Sequence, residues 1–218
     1  MINPVSPDTS FAESTIGVRA FPIEYGLLRR GFTTIAGADE AGRGAGAGPL
    51  VAAAVVFKPS EFGSSELVRA VNDSKKLTES RREELFIQIT EQSLSWAVVS
   101  ISAAEVDARG IQRANLTALR QSVACLDVQP DYALFDGYSV PGAPMPSLGV
   151  WKGDQVSPTV AAASILAKVT RDRHMVEAET SHPGYGFAKH KGYLTADHRA
   201  AIEKLGVCEI HRSSFALR

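Results

Sequence analysis

The stretch TTIAGADEAGRGAGAGPLVAAAVVF, Thr33 to Phe57, decides the fold of this chain. Its opening, Thr33 to Asp39, reads as a strand. Its close, Pro49 to Phe57, is a short unbroken apolar run, the pattern of a strand buried on both faces. Between them lies a turn of small residues, Gly42 to Gly48, in which Arg43 is the only long side chain.

Beyond this stretch, LTESRREELFIQITEQ reads as a helix that either Thr78 or Ser80 can cap, Ser80 and Glu83 having the spacing of a capping box. A further strand is expected from Ser93 to Ser102, and Ser102 with Glu105 makes a second capping box. Leu116, Leu119, Val123 and Leu126 recur at helical spacing, which places Cys125 on an apolar helix face as a core residue. Tyr132 to Phe135 and Leu148 to Trp151 are short apolar strands running toward Asp136 and Asp154. Ser157 and Pro158 form an N-cap and first-turn pair opening a long helix through TVAAASILAKVTRDRHMVEAE, and a last helix runs from after Thr195 to Gly206. Strands first, then alternating helices and strands, indicate one α/β domain with a mixed sheet.

Composition agrees with a single globular domain. The chain has 218 residues, 44% hydrophobic and 22% charged, with 23 basic against 24 acidic side chains. Uncharged stretches such as Ala45 to Phe57 fall short of the ~20 apolar residues of a membrane span, so no membrane association is expected. MINPVSPDTSFAES has neither the basic nor the apolar region of a secretory leader. Two cysteines, Cys125 and Cys208, make no disulfide framework and suit a reducing cytoplasm. Residues 151–218 carry a net charge of +3 against −4 for 1–150, a mild basic bias that a solvated helix surface explains as well as a polyanionic partner does. With no heptad pattern, a monomer is expected.

The chemistry sits at strand ends. Asp39 and Glu40 follow the first strand, Asp136 ends YALF, and Asp154 follows LGVW. Acids are rarely buried unless paired or bound to a metal. Taken singly, each also suits an ordinary cap or an exposed strand end. Three strands with the same pattern favour a cluster that hard cations such as Mg²⁺ or Mn²⁺ neutralise. Gly42 to Ala47 matches a loose dinucleotide fingerprint, but no helix follows it, so pyrophosphate binding is rejected. The turn instead lets backbone N–H groups approach a phosphate or sugar. Lys75 and Lys76, with Arg81 and Arg82 beyond them, suit anion binding, since a basic helix start opposes the macrodipole. His182 to Tyr193 interleaves bases, aromatics and glycines, as nucleic-acid contacts require. Histidines 174, 182, 190 and 198 fall every eight residues without zinc-like spacing, and that period is taken as coincidence.

Taken together, GADEAGRG, AGPLVAAAVV, DSKKL, FDG, KGD, AAASILAKVTRD and HPGYGFAKHKGYLTADHRAAIEKLG, ending in HRSSF, closely resemble bacterial ribonuclease HII from about Tyr25 to Phe215. The resemblance implies a ribonuclease H-like fold, a mixed sheet flanked by helices with a C-terminal helical extension. It divides the chain into an N-terminal tail, 1–24, and a catalytic domain, 25–218. It also implies endonucleolytic cleavage of RNA in RNA–DNA hybrids and nicking at single ribonucleotides embedded in duplex DNA. Its acidic residues fall on Asp39, Glu40, Asp136 and Asp154, which would hold two divalent ions, Mn²⁺ or Mg²⁺, with Asp39 shared, and leave 5′-phosphate and 3′-hydroxyl ends. Its substrate-binding motif falls on Gly42, Arg43 and Gly44, and its junction-sensing tyrosine on Tyr193. The sequence departs from the family at Ala38, where a branched residue is usual, and at Ala45-Gly46, where Pro-Leu is common. Two other classes remain open: another nuclease or recombinase of the same fold, or a non-catalytic module that binds hybrids.

Overall fold

The computed structural model describes residues 21–71 and 77–217. Its sheet has five strands: β1 (Ile35–Ala41), β2 (Leu50–Val56), β3 (Ser95–Ile101), β4 (Tyr132–Asp136) and β5 (Ser147–Val150). Their order is β3-β2-β1-β4-β5, antiparallel among β3, β2 and β1 and parallel from β1 through β4 to β5. This is the mixed sheet expected, with β1 at its centre.

The helices are α1 (Pro22–Leu28), α2 (Glu66–Val71), α3 (Glu79–Gln92), α4 (Ala103–Arg109), α5 (Ile111–Ala124), α6 (Gly153–Val156), α7 (Pro158–Ser181), α8 (Phe187–His190) and α9 (Ala196–Leu205). Alternation along β2 explains how they sandwich the sheet. Val51, Ala53 and Val55 meet the alanine-rich side of α7, whereas Leu50, Ala52, Ala54 and Val56 meet Ala114, Ala118 and Leu119 of α5. Small residues bring α7 very close to β1. A Cβ on Gly37 would lie 2.2 Å from the Thr159 carbonyl carbon and the Val160 nitrogen. The C-terminal helices then fold back on the far part of α7, where Met175, Tyr185, Phe187 and Ile202 share a smaller core with Ala47. Among the described residues, no helix is long and apolar enough to cross a membrane.

Several boundaries differ from the sequence reading. Thr33 and Thr34 precede β1, because their backbone N–H groups bind the Asp131 carboxylate at 2.7 and 3.1 Å. Thr78, not Ser80, caps α3 by accepting from the Arg81 N–H, whereas the Ser102–Glu105 capping box on α4 is present. β5 stops at Val150, leaving Trp151 exposed. Helix α5 ends at Ala124, so Cys125 becomes its C-cap and is exposed rather than in the core. The expected boundary at Tyr25 falls inside α1, and Phe21 and Glu24 before it are both buried.

Candidate active site

Parallel pairing of β1 with β4 sets Ala38 opposite Phe135. The next residue on each strand is an acid, so Asp39 and Asp136 lie side by side where the β1–β4 pairing ends, toward the C-terminal edge where α/β sheets hold ligands, although β1 runs two residues past the expected Asp39, through Glu40 to Ala41, still paired with β2. Asp136 is paired in turn with Val150 of β5. The chain leaving β5 bends back through Lys152, a left-handed residue at φ 53°, and the Gly153 N–H donates to Asp136 Oδ1 at 2.6 Å. Asp154 follows directly, buried in the first turn of α6.

Asp39 and Glu40 are electrostatically strained. Burial pushes the Asp39 carboxyl well above the usual carboxylate range, and the charges of Glu40 and Asp136 push it further. Hydrogen bonds from the Ser164 hydroxyl and the Glu40 N–H, the latter 2.7 Å long, oppose that rise without cancelling it. Glu40 is raised as well, chiefly by burial, against the nearby Arg43 charge and a hydrogen bond from Asn115. Among the described residues, no group of three or more His, Cys, Asp or Glu side chains is already arranged to hold a metal ion. What fits is the donor chemistry. Oxygen-only donors whose charges oppose one another favour a hard divalent cation, which removes the repulsion on binding.

Beside the acids runs a cleft of about 390 Å³ lined by Glu40, Gly42, Arg43, Gly44, Arg82, Ser164, Lys168 and Tyr193. It unites three parts that are remote in sequence: the acid at the end of β1, the glycine turn, and the tyrosine of the C-terminal segment. Arg82 enters the cleft, whereas Arg81 pairs with Glu84 on the surface. Lys75 and Lys76 lie outside the described residues.

Two buried arginines not anticipated from sequence hold the glycine turn. Arg171 of α7 donates through Nε to the Pro49 carbonyl at 2.9 Å and through Nη2 to that of Ala47 at 3.1 Å. Arg212 donates to the carbonyls of Gly42, at 2.7 Å, and of Gly48, at 2.9 and 3.0 Å. Gly42 is required here. Its φ is +89°, and an added Cβ would lie 1.9 Å from Arg171 Nε. The turn is also fastened to the tyrosine, since the N–H groups of Gly46 and Ala47 both donate to the Gly192 carbonyl, at 2.9 and 3.2 Å. The Arg171 guanidinium stands 5.3 Å from the centre of the Tyr193 ring. The other residues missed by the sequence reading, Asn115, Ser164 and Lys168, are polar positions on otherwise packed helices. For Asn115 the sequence held a signal, an amide one helical turn before Leu119 of the apolar stripe, and the structure buries it fully.

Comparison with known proteins agrees with this arrangement. The Ribonuclease HII family model matches residues 36–218. A Ribonuclease HII of Salinispora arenicola is 53% identical over 195 residues, 89% of this chain and 71% of that protein. The crystal structure of ribonuclease H2 from Pyrococcus horikoshii superposes with a TM-score of 0.73 at 25% identity, covering 84% of this chain and 94% of the other. Bst-RNase HIII, solved in complex with Mn²⁺, shares the fold at a TM-score of 0.63 and 19% identity, covering 85% and 68% of the two chains. With the family model spanning the sheet, the strand-end acids and the C-terminal helices, this chain belongs to the ribonuclease HII family.

Proposed function

We propose that this protein is a divalent-metal-dependent endoribonuclease that hydrolyses the RNA strand of RNA–DNA hybrids and nicks duplex DNA at single embedded ribonucleotides. The observation that carries this reading is the meeting of Asp39, Glu40 and Asp136 at one sheet edge, beside a cleft that also holds the glycine turn and Tyr193. Asp39, Glu40, Asp136 and Asp154 are the residues that would hold Mg²⁺ or Mn²⁺. When bound, such ions activate water for in-line attack on phosphorus and stabilise the leaving 3′ oxygen.

The chain's own groups supply position and discrimination. The Ser164 hydroxyl orients the Asp39 carboxylate by donating to it. Arg43, Arg82 and Lys168 line the cleft and suit phosphates, which fix register but are identical in RNA and DNA. Along the sugar-phosphate backbone only the 2′-hydroxyl distinguishes the two. The turn at Gly42 to Gly44 brings main chain close enough to read it with fixed backbone groups. Tyr193 offers a flat face for the sugar of the following nucleotide, where a deoxyribose packs and an added hydroxyl loses solvation. Because the Gly192 carbonyl binds the turn directly, the two readers keep a constant spacing, as recognition of an RNA-to-DNA junction requires. Free Cys125 and Cys208 suit a cytoplasmic setting, and we take the enzyme to act as a monomer.

The test is incubation with Mg²⁺ or Mn²⁺ and three end-labelled duplexes: all DNA, RNA–DNA hybrid, and DNA with one ribonucleotide. Cleavage of the last two, leaving 5′-phosphate and 3′-hydroxyl ends, supports the proposal. Cleavage of the all-DNA duplex indicates another nuclease of the same fold, and no cleavage of any of the three indicates a binding module.

A further inference from the structure

Behind Tyr193, away from the acids, three buried histidines form a continuous network: His190, His198 and His211. Their hydrogen-bond partners determine each tautomer. His198 Nδ1 lies 3.0 Å from the Tyr193 carbonyl oxygen, which can only accept, so Nδ1 carries the proton. In the neutral ring Nε2 is then an acceptor, and it faces His211 Nε2 at 3.1 Å, which must donate. His211 Nδ1 is left as an acceptor, and of the Cys208 groups that face it the backbone N–H, which donates at 2.9 Å, is nearer than the thiol at 3.1 Å or the carbonyl at 3.3 Å. His190 is fixed in the same way, accepting at Nδ1 from the Gly192 N–H at 3.2 Å and donating from Nε2 to the Tyr185 carbonyl at 2.8 Å.

Each of these links is satisfied with the rings neutral, and the surroundings of His198 and His211 disfavour their charge. The His190 and His198 rings stack at 4.3 Å, with Phe187 edge-on to both. Burial pushes His198 down to about 4, with the neighbouring His190, His211 and Arg199 adding to the fall. His211 is also lowered, again mainly by burial.

The network ends at both readers of the cleft. At one end His211 pairs through its backbone with Ala47 of the glycine turn. At the other, the Tyr193 carbonyl accepts from His198 and from the Thr195 N–H at 2.8 Å, while the Tyr193 N–H binds the His190 carbonyl at 3.0 Å. We propose that the relay from His211 through His198 is a positioning device for Tyr193, fixing its main chain and hence its ring at a set distance from the glycine turn, so that these two histidines tune selectivity for the RNA-to-DNA junction. The inference rests on Tyr193 being a sugar reader. His198 and His211 are positioning residues and touch no substrate.

The test compares kcat/KM on a single-ribonucleotide duplex with kcat/KM on a long hybrid, taken as a ratio. The set is the parent, His198→Ala, His198→Asn, Tyr193→Ala and the double variant His198→Ala with Tyr193→Ala. Loss of one neutral hydrogen bond should lower the ratio about fivefold in His198→Ala. His198→Asn keeps a donor at the Nδ1 position and should restore it to within about twofold of the parent. The double variant should match Tyr193→Ala alone, because residues acting through one another are not additive. A parental ratio in His198→Ala, no rescue by asparagine, or additive effects in the double variant would overturn the relay while leaving the role of Tyr193 intact. A parental ratio in Tyr193→Ala would overturn both. Nitrogen-15 NMR of the unsubstituted protein gives a check that needs no variant to fold. It should show His198 protonated at Nδ1 and His211 at Nε2, and any other tautomer pair overturns the proposal.

Discussion

Glu24 is a carboxyl group buried at the base of α1, and removing its charge should stabilise the protein in a pH-dependent way. Its Oε1 accepts from the hydroxyls of Ser157, at 2.5 Å, and Thr159, at 3.1 Å, and its Oε2 has no hydrogen-bond partner among the described residues. Burial outweighs those bonds and pushes its pKa up to about 7 from an ordinary 4.5. The folded state therefore holds a proton that the unfolded chain has released between those two values. By linkage, stability falls as pH rises through that window and stays low above it. At about 1.4 kcal/mol per pH unit, the gap amounts to about 3 kcal/mol. Glu24→Gln keeps an acceptor for both hydroxyls and cannot ionise. Its stability should match the parent near pH 4.5 and exceed it by about 3 kcal/mol at pH 8, which for a chain of this size is roughly 6 to 12 °C in Tm. Urea unfolding of both proteins at pH 5 and pH 8 measures the difference. An equal difference at the two pH values, or a less stable Gln variant at pH 8, would show that Glu24 is not held protonated by burial.

Three more expectations concern the cleft. Gly42→Ala should cost about 3 kcal/mol, from the left-handed backbone and from displacing Arg171 off its carbonyls; denaturant midpoints check this, and parental stability would contradict the contact with Arg171. Tyr193→Phe should cut a single-ribonucleotide duplex within about twofold of the parent, whereas Tyr193→Ala should fall about tenfold, an edge of about 1.4 kcal/mol for ring packing; single-turnover rates decide, and equal losses in both would make the hydroxyl, not the ring face, the active element. Arg82→Gln should reduce the slope of log affinity against log salt by about one, as loss of a single phosphate contact requires; an unchanged slope would remove Arg82 from the interface.

What was legible in the sequence follows from the range of the forces involved. The continuous apolar run of β2 and the acids near the ends of β1 and β4 are local patterns, and the structure has β2 buried on both faces, with Asp39 and Asp136 on adjacent parallel strands. The glycine turn and Tyr193 were each visible, but not the bonds that join them, because Gly46 and Gly192 meet only through tertiary folding. Arg171 and Arg212 escaped for the same reason. Each looks like a surface cation, yet its partners lie more than a hundred positions away in the chain. The eight-residue histidine period hid a real association. His190 and His198 do stack, but their third member, His211, is off the period, and the shared feature is a hydrogen-bond relay rather than a metal site. Cys125 was misplaced because its helix ends at Ala124, short of the last member of the apolar stripe at Leu126, and so small a change at a helix terminus moves a side chain from core to solvent.

If the proposed function holds, the acids at the sheet edge bind a divalent cation on which hydrolysis of the ribonucleotide strand depends. The most direct test of that dependence is Asp39→Asn, which removes one charge with almost no change in volume, measured together for Mn²⁺ binding by titration calorimetry, thermal unfolding and hybrid cleavage. Because Asp39 is held in a state that disfavours its charge, the variant should unfold at or above the parental temperature. It should also bind Mn²⁺ at least tenfold more weakly, a loss of about 1.4 kcal/mol or more, and cleave the hybrid at less than about a thousandth of the parental rate, a barrier rise of about 4 kcal/mol. A folded Asp39→Asn protein that binds Mn²⁺ and cuts the hybrid as the parent does would remove Asp39 from the metal site and from the reaction.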